Sequence, residues 1–403
     1  MRILIISQYF WPENFRINDL CLNLKERGHN VTVLTGKPNY PKGRFYDGYK
    51  YFNKSIEVWE EIKIIRSFII PRKNSNSFNL IINYLSFLFS SCFNIITINK
   101  KFDKILVYQL SPGLIGAPGI IAKIKFNAPL FFYIQDLWPE SIEDAGGVKS
   151  SLLIISIDKI MNYFYKKSNI ILVQSKGFIQ FLEKKGIKSN KIIYLPNTVE
   201  DFYKPVNVED RYLRKLPIGF NIIFAGNLGE AQALNLVIES AKIIKNKLIT
   251  INWIFFGDGR AKASLIKMTN DLNLTSNVYF FDSVPSIEMP YYFACADVLL
   301  VSLKKSIIFS LTIPSKIQSY LACAKPILAI IDGEGAKVIQ ESKSGYISQP
   351  GDIETFVENT VKIFNLSQDE RKELGKNGFK YFKDEFSRTH IYNKLESLIN
   401  NHD

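Results

Sequence analysis

Short apolar runs alternate with longer stretches of helical periodicity along most of this chain. In the first half the runs are Ile3–Ile6, Val31–Leu34, Ile62–Ile65, Lys104–Val107, Leu130–Ile134, Ile170–Val173 and Ile192–Leu195. Between several of them lie helix-patterned segments: Ile17–Arg27, Leu114–Lys125, Leu152–Tyr165 and Gly177–Lys184. Such alternation predicts a doubly wound parallel sheet. The second half repeats it, with strands predicted at Ile222–Ala225, Thr250–Phe256, Val278–Phe281, Val298–Val301 and Ile327–Ile331. A polar, proline-bounded stretch from Pro196 to about Pro217 separates the halves and reads as a linker. The expected layout is therefore two α/β domains of similar size: 1–200, a linker over 201–217, then 218–383. A helix over 384–403 closes the chain and could return to the first domain.

One segment breaks the rhythm. Residues 78–98 carry no charge, which is long enough for a membrane span. They lie between two predicted strands of one sheet, and a single crossing would put those strands on opposite sides of a bilayer. Polar residues recur there at helical spacing (Asn79, Asn83, Ser86, Ser90, Asn94, Thr97), a narrow stripe on a wide apolar helix. Arg72-Lys73 and Lys100-Lys101 flank it. Two readings stand: an in-plane membrane helix with basic ends on anionic headgroups, or a helix buried against its own sheet. The basic character of the first half favours the membrane.

Composition sharpens this picture. The 403 residues suit two domains, and 47% hydrophobic content with mixed charge describes a globular chain. The net charge of +13 is uneven. Residues 1–205 hold 28 Lys+Arg and 16 Asp+Glu, so 28 − 16 = +12; residues 206–403 hold 23 and 22, so +1. A basic half suggests an anionic partner: a membrane surface, a phosphorylated acceptor or nucleic acid. With no zinc finger, aromatic RNA-binding motif or Arg cluster, nucleic acid is the weakest of these and is not expected. Cys21, Cys92, Cys295 and Cys323 are scattered, with no CxxC, which fits a reducing compartment and offers no metal site. The apolar run after Met1 is too short for a signal peptide, so a cytoplasmic location is expected.

The chemistry concentrates at predicted strand ends. Thr312–Leu328 reads as a helix opened by Pro314-Ser315, with Lys316 in its first turn, a small-residue exit and then a strand. Free N–H groups at a helix start hold phosphate, and Lys316 adds a full positive charge. Gly226-Asn227-Leu228-Gly229 through Gln232 follows a strand and opens a helix, as a phosphate-approaching loop does. Gly257-Asp258-Gly259, Phe281-Asp282-Ser283-Val284-Pro285, Ala296-Asp297-Val298 and Gly345-Tyr346 through Asp352 follow in order. In that order they resemble the donor-binding half of GT-B glycosyltransferases of the retaining GT4 family. Most such enzymes carry an Arg and a Lys near positions 227 and 232, where this chain has Asn227 and Gln232. Their glutamate pair maps to positions 311 and 319, occupied here by Leu311 and Ser319. The loss of both cations shifts weight to Lys316.

Three further segments narrow the resemblance: Pro12-Glu13-Asn14-Phe15-Arg16-Ile17-Asn18-Asp19, Thr35-Gly36-Lys37-Pro38-Asn39-Tyr40-Pro41-Lys42-Gly43 and Gln135-Asp136-Leu137-Trp138-Pro139-Glu140-Ser141. Together they resemble the subgroup of bacterial O-antigen and capsule N-acetyl-L-fucosamine transferases. The resemblance implies a GT-B fold, two Rossmann-like doubly wound domains facing across a cleft, with donor bound by the second. It implies front-face substitution with retention, using a UDP-sugar as co-substrate and neither a metal nor another cofactor. The implied donor residues are Asn227, Gln232, Gly257, Asp258, Gly259, Ser283, Val284, Ser315 and Lys316. Asp136 and Glu13 are the catalytic candidates, with Asn14, Arg16, Lys37, Asn39 and Gln135 beside the acceptor. That acceptor would be an undecaprenyl-diphosphate-linked sugar, met by a cytoplasmic enzyme peripherally associated with the inner-membrane surface. A nucleotide-sugar 2-epimerase, or an inactive nucleotide-sugar-binding partner of an assembly complex, are the competing readings.

Overall fold

In the computed structural model, which describes residues 1–73, 77–141 and 151–402, the strands gather into two sheets. The chain divides into two units, Met1–Pro196 with Tyr392–Asp403, and Asn197–Ile391.

The first unit is built on β1 (Arg2–Ile6), β2 (Asn30–Gly36), β3 (Ile56–Trp59), β4 (Ile62–Ser67), β5 (Lys104–Gln109), β6 (Leu130–Ile134), β7 (Ile170–Val173) and β8 (Ile192–Tyr194). Their order across the sheet is β3-β4-β2-β1-β5-β6-β7-β8. Every pair is parallel except β3 with β4. Apart from the exposed Arg2 that opens β1, strands β1, β5 and β6 are buried along their length because helices cover both faces, which is why they read as continuous apolar runs. The edge strand β3 escaped the sequence reading: four residues with alternating exposure leave no apolar run to notice. Helix α1 (Arg16–Glu26) follows β1, and the end of the chain packs with this unit. Tyr392 Oη donates to Asp19 Oδ2 at 2.6 Å, and Arg27 pairs with Glu396.

Helix α2 (Ser77–Thr97) covers the uncharged segment, and its orientation corrects the simple choice between membrane helix and buried helix. From Asn83 to Asn94 the polar stripe faces the protein, while Thr97 at its end is exposed. Asn83 is fully buried; its Nδ2 donates to Ile70 O at 2.6 Å and its Oδ1 accepts from Gln8 Nε2 at 2.8 Å. Ser86 Oγ accepts from Ile70 N at 2.9 Å, Ser90 Oγ donates to Phe68 O at 2.6 Å, and Asn94 Nδ2 donates to Ser67 Oγ at 2.9 Å. The chain leaving β4 runs past the sheet, so its backbone groups need partners, and the stripe supplies them. The apolar face is left outward: Phe78, Ile81, Leu85, Phe89, Phe93 and Ile96 are all exposed, Phe89 at 69% and Phe93 at 65%. The helix ends against α3 (Gly116–Phe126), where Lys125 Nζ donates to the carbonyls of Ile95, Ile96 and Ile98.

The second unit carries β9 (Phe220–Ala225), β10 (Ile251–Phe256), β11 (Val278–Phe281), β12 (Val298–Ser302), β13 (Ile327–Ile330) and β14 (Gly345–Ser348). They form one parallel sheet in the order β11-β10-β9-β12-β13-β14. The strand order reverses between β9 and β12. Loops diverge at such a point, so ligands bind outside the carboxyl ends of the strands there.

Candidate functional site

A cavity of about 520 Å³ opens at that reversal in the second unit, within the range that holds a small ligand. Its wall is assembled from successive strand ends. Gly226 and Asn227 follow β9, Gly257 and Asp258 follow β10, Ser283 and Val284 follow β11, and Ser315, Lys316, Ser319 and Tyr320 come from the helix Ser315–Ala322. Gly257 is required by its conformation. It has φ +141°, and a Cβ there would lie 1.9 Å from Gly226 O.

Lys316 is the electrostatic centre of this cavity. Its Nζ sits 4.6 Å from the centre of the Phe224 ring, and a Cβ on Gly226 would approach it to 3.0 Å. Among the described residues it has neither a carboxylate within ion-pair distance nor a hydrogen-bonding partner. Burial without a counter-charge pushes its ammonium down to about 8. The Ile317 amide donates to Pro314 O at 3.0 Å, while the Ser315 and Lys316 amides ahead of it have no acceptor within the helix, so backbone N–H groups and a desolvated cation share one wall. An anion entering there meets both.

Most of the predicted donor residues line the cavity: Asn227, Gly257, Asp258, Ser283, Val284, Ser315 and Lys316. Gln232 does not. Its Oε1 accepts the Gly229 amide at 3.1 Å, so it closes its own loop. Gly259 is also outside the lining; its amide donates to Asp258 Oδ1 at 2.8 Å. Sequence reasoning missed the aromatic and apolar wall of Tyr203, Phe256, Met289 and Phe293. Tyr203 comes from the linker and stacks on Phe293 at 6.4 Å between ring centres. Ser319, at a position where the family pattern has glutamate, lines the cavity too.

The first unit gathers its own candidates at the carboxyl edge of its sheet. Glu13 is buried, and its Oε1 accepts the amides of Asn39 (2.8 Å) and Tyr40 (2.7 Å). Burial outweighs these bonds and raises its carboxyl to about 7. Asp136 Oδ2 accepts from Ser111 Oγ and Ser141 Oγ, each at 3.0 Å, and burial raises this carboxyl as well. Trp138 Nε1 donates to Ser111 Oγ at 2.9 Å and completes the cluster. Asn39 Nδ2 donates to Lys37 O, and its Oδ1 accepts from Asn83 Nδ2 at 3.4 Å. Gln135 O accepts from Gln174 Nε2 at 2.7 Å, Asn14 is exposed, and Arg16 begins α1 half-buried. Lys37 is spent elsewhere: its buried ammonium donates to the carbonyls of Lys50 and Asn53, tying down its own loop. Two of the three sequence segments thus meet through Glu13 and Asn39, Lys37 is turned to its own loop, and Asp136 forms a separate cluster with Ser111, Ser141 and Trp138. Among the described residues no three His, Cys, Asp or Glu side chains are grouped as metal ligands.

Comparison with known proteins gives this geometry a class. Residues 215–381 match the family model described as Glycosyl transferases group 1. The chain is 24% identical over 295 residues to the probable glycosyltransferase WbjE of Pseudomonas aeruginosa, covering 71% of this chain and 72% of that one. It is 26% identical over 346 residues to the putative colanic acid biosynthesis glycosyl transferase WcaI of Escherichia coli K12, covering 80% and 81%. Among solved structures, sucrose-phosphate synthase from Thermosynechococcus elongatus superposes with a TM-score of 0.75 at 16% identity, over 99% and 98% of the two chains. Anabaena HepE in complex with UDP does so with 0.70 at 14%, over 99% and 100%. The fold is GT-B, and its second unit carries a group 1 glycosyltransferase domain. The chain is a glycosyltransferase.

Proposed function

We propose that this enzyme transfers a sugar, N-acetyl-L-fucosamine as the best candidate, from a UDP-sugar to a lipid-diphosphate-linked acceptor in bacterial O-antigen or capsule synthesis. The observation that carries the reading is Lys316: a half-buried, desolvated cation with no counter-charge among the described residues, at a helix start, in a cavity of nucleotide size. A diphosphate supplies what that wall lacks. The charge that develops on the leaving UDP would fall on Lys316, Ser315 and the helix amides, which are fixed before the reaction begins. Asn227, Asp258, Ser283 and Val284 would hold the rest of the donor, with Tyr203 and Phe293 as flat surfaces for its ring systems. Retention follows from front-face attack, in which the acceptor hydroxyl and the leaving phosphate share one side of the sugar. In this reading no metal is needed, because Lys316 and the amides take the leaving charge.

Asp136 is our candidate for engaging the acceptor hydroxyl. Its carboxyl is held by two serines and raised by burial, which makes it a better proton acceptor than a surface aspartate. Glu13 would act by holding the Asn39–Tyr40 loop in place.

The enzyme would work at the inner face of the cytoplasmic membrane. The outward apolar face of α2 suits insertion among acyl chains, with Lys73, Lys100 and Lys101 at its ends for anionic headgroups. The name of WcaI, a putative colanic acid biosynthesis glycosyl transferase, supports a place among polysaccharide-building transferases. Purified protein, a short-chain lipid-diphosphate-GlcNAc acceptor and a panel of UDP- and GDP-sugars test the reading. Extension by one sugar from one donor supports it. Interconversion of the donor without extension would make the protein an epimerase.

A further inference from the structure

Arg72 is a buried cation that the reaction as described above leaves unused. It was grouped by sequence with the basic ends of the uncharged helix, facing lipid. The structure places it elsewhere, at 8% exposure among aromatic rings at the carboxyl edge of the first sheet. Its guanidinium lies 5.4 Å from the centre of the Tyr9 ring and 5.0 Å from that of Tyr40. Its Nη2 donates to Tyr9 Oη, and the hydroxyl of Tyr84 on α2 sits beside both. No carboxylate among the described residues lies within ion-pair distance, and its Nε is buried with no partner. A buried arginine is normally paired, because an uncompensated buried charge and an unmade hydrogen bond both cost free energy.

The surroundings give direction to the site. Tyr84 connects Arg72 to the Asp136 cluster: its ring meets Trp138 edge-on at 5.9 Å, and the Asp136 carboxylate acts on its hydroxyl. One end of the patch is therefore anionic and accepts hydroxyl protons, and the other is cationic with an unused donor. We propose that Arg72, with Tyr9 and Tyr84, binds the phosphate or diphosphate ester of the acceptor, while the sugar hydroxyl is directed toward Asp136. A guanidinium suits phosphate oxygens because it offers several N–H donors in one plane, and tyrosine hydroxyls add donors without adding bulk charge. This rests on the reading of a phosphate-linked acceptor and extends it to the residue that recognises the anion.

The experiment uses the full chain saturated with UDP, so that the donor cavity is occupied. Calorimetric titration with geranyl diphosphate, and in parallel with inorganic pyrophosphate, measures the anion site directly. Arg72→Gln is expected to weaken geranyl diphosphate binding at least tenfold, with UDP affinity unchanged and Arg72→Lys intermediate. Arg72-dependent binding of pyrophosphate equal to that of geranyl diphosphate would assign the site to a free phosphate anion rather than the lipid ester. In turnover, Arg72→Gln should raise KM at least tenfold for a lipid-diphosphate-GlcNAc acceptor while leaving KM for octyl-GlcNAc unchanged. Equal affinity in wild type and Arg72→Gln, or equal KM changes for both acceptors, would overturn the proposal. Circular dichroism checks folding, and where Arg72→Gln does not fold, Arg72→Lys decides by the same two ratios. Arg72-dependent binding without transfer to any acceptor would sink the transferase assignment of substrate and leave the anion site standing.

Discussion

The Lys316 ammonium rests 4.6 Å from the centre of the Phe224 ring and has no anionic neighbour among the described residues. A ring face attracts a cation, yet it replaces only part of the water that burial removes. The group is held at about 8 against its ordinary 10.5. The folded protein therefore carries a penalty at neutral pH that a bound diphosphate would remove.

That penalty has a sign. Below about 8 the lysine is charged in both folded and unfolded chains, and only the folded one has lost its hydration. Stability from this group is lowest there and recovers as pH rises toward 10.5. Lys316→Met should raise the melting temperature of ligand-free protein at pH 7, by up to about 3 kcal/mol of stability, with a smaller gain at pH 10. The same substitution should abolish transferase activity. Differential scanning calorimetry and a transfer assay check the two halves.

Glu13 predicts a pH dependence at the other end of the scale. Its folded carboxyl is raised to about 7 from 4.5, so the folded state binds more protons between those values. Stability contributed by this group is present at low pH and is lost as pH rises from about 4.5 to 7. Glu13→Gln keeps an oxygen for the Asn39 and Tyr40 amides and carries no charge. The variant should be more stable than wild type at pH 8, by at most about 3 kcal/mol, and equal to it near pH 4.5. Urea midpoints at the two pH values measure the difference.

The two faces of α2 should respond in opposite ways. Asn83→Ala leaves Ile70 O and the Gln8 amide without their partner, at a cost of about 1–3 kcal/mol. Phe89→Ser with Phe93→Ser removes side chains that touch solvent and should change stability by less than about 0.5 kcal/mol. Cosedimentation with vesicles of phosphatidylcholine and phosphatidylglycerol should fall for the double serine variant and hold for pure phosphatidylcholine controls at their low baseline. Unchanged cosedimentation would remove α2 as the membrane contact.

Gly257→Ala places a methyl against Gly226 O in a conformation that side chains rarely adopt. The nearest atoms are all Gly226 backbone, so no flexible side chain is there to yield. Destabilisation of roughly 2–4 kcal/mol and loss of UDP binding are expected, read by urea unfolding and calorimetry.

How much of this was legible in the sequence follows from where the partners lie. The apolar strands of both sheets were readable because helices bury both of their faces, so the signal is local and continuous. The Pro314-Ser315-Lys316 helix start was readable because a helix opening needs only its own residues. The inward turn of the α2 stripe was not, since its partners, Gln8 and Phe68 to Ile70, are set by tertiary contact. Lys37 and Gln232 looked available in sequence and proved to be tied to backbone of their own loops. Arg72 was misplaced for the converse reason. A charge next to an apolar run suggests lipid, and only the converging Tyr9, Tyr40 and Tyr84 show that it is enclosed.

Calorimetric titration of UDP into wild type and Lys316→Met at pH 8.5, in two buffers of different ionisation enthalpy, tests the donor assignment most directly. The account predicts that UDP binds wild type with uptake of part of a proton, because the anion restores the charged form of Lys316. It predicts no such uptake and at least a tenfold loss of affinity in Lys316→Met. Equal affinity in the two proteins, with the same proton balance, would contradict it.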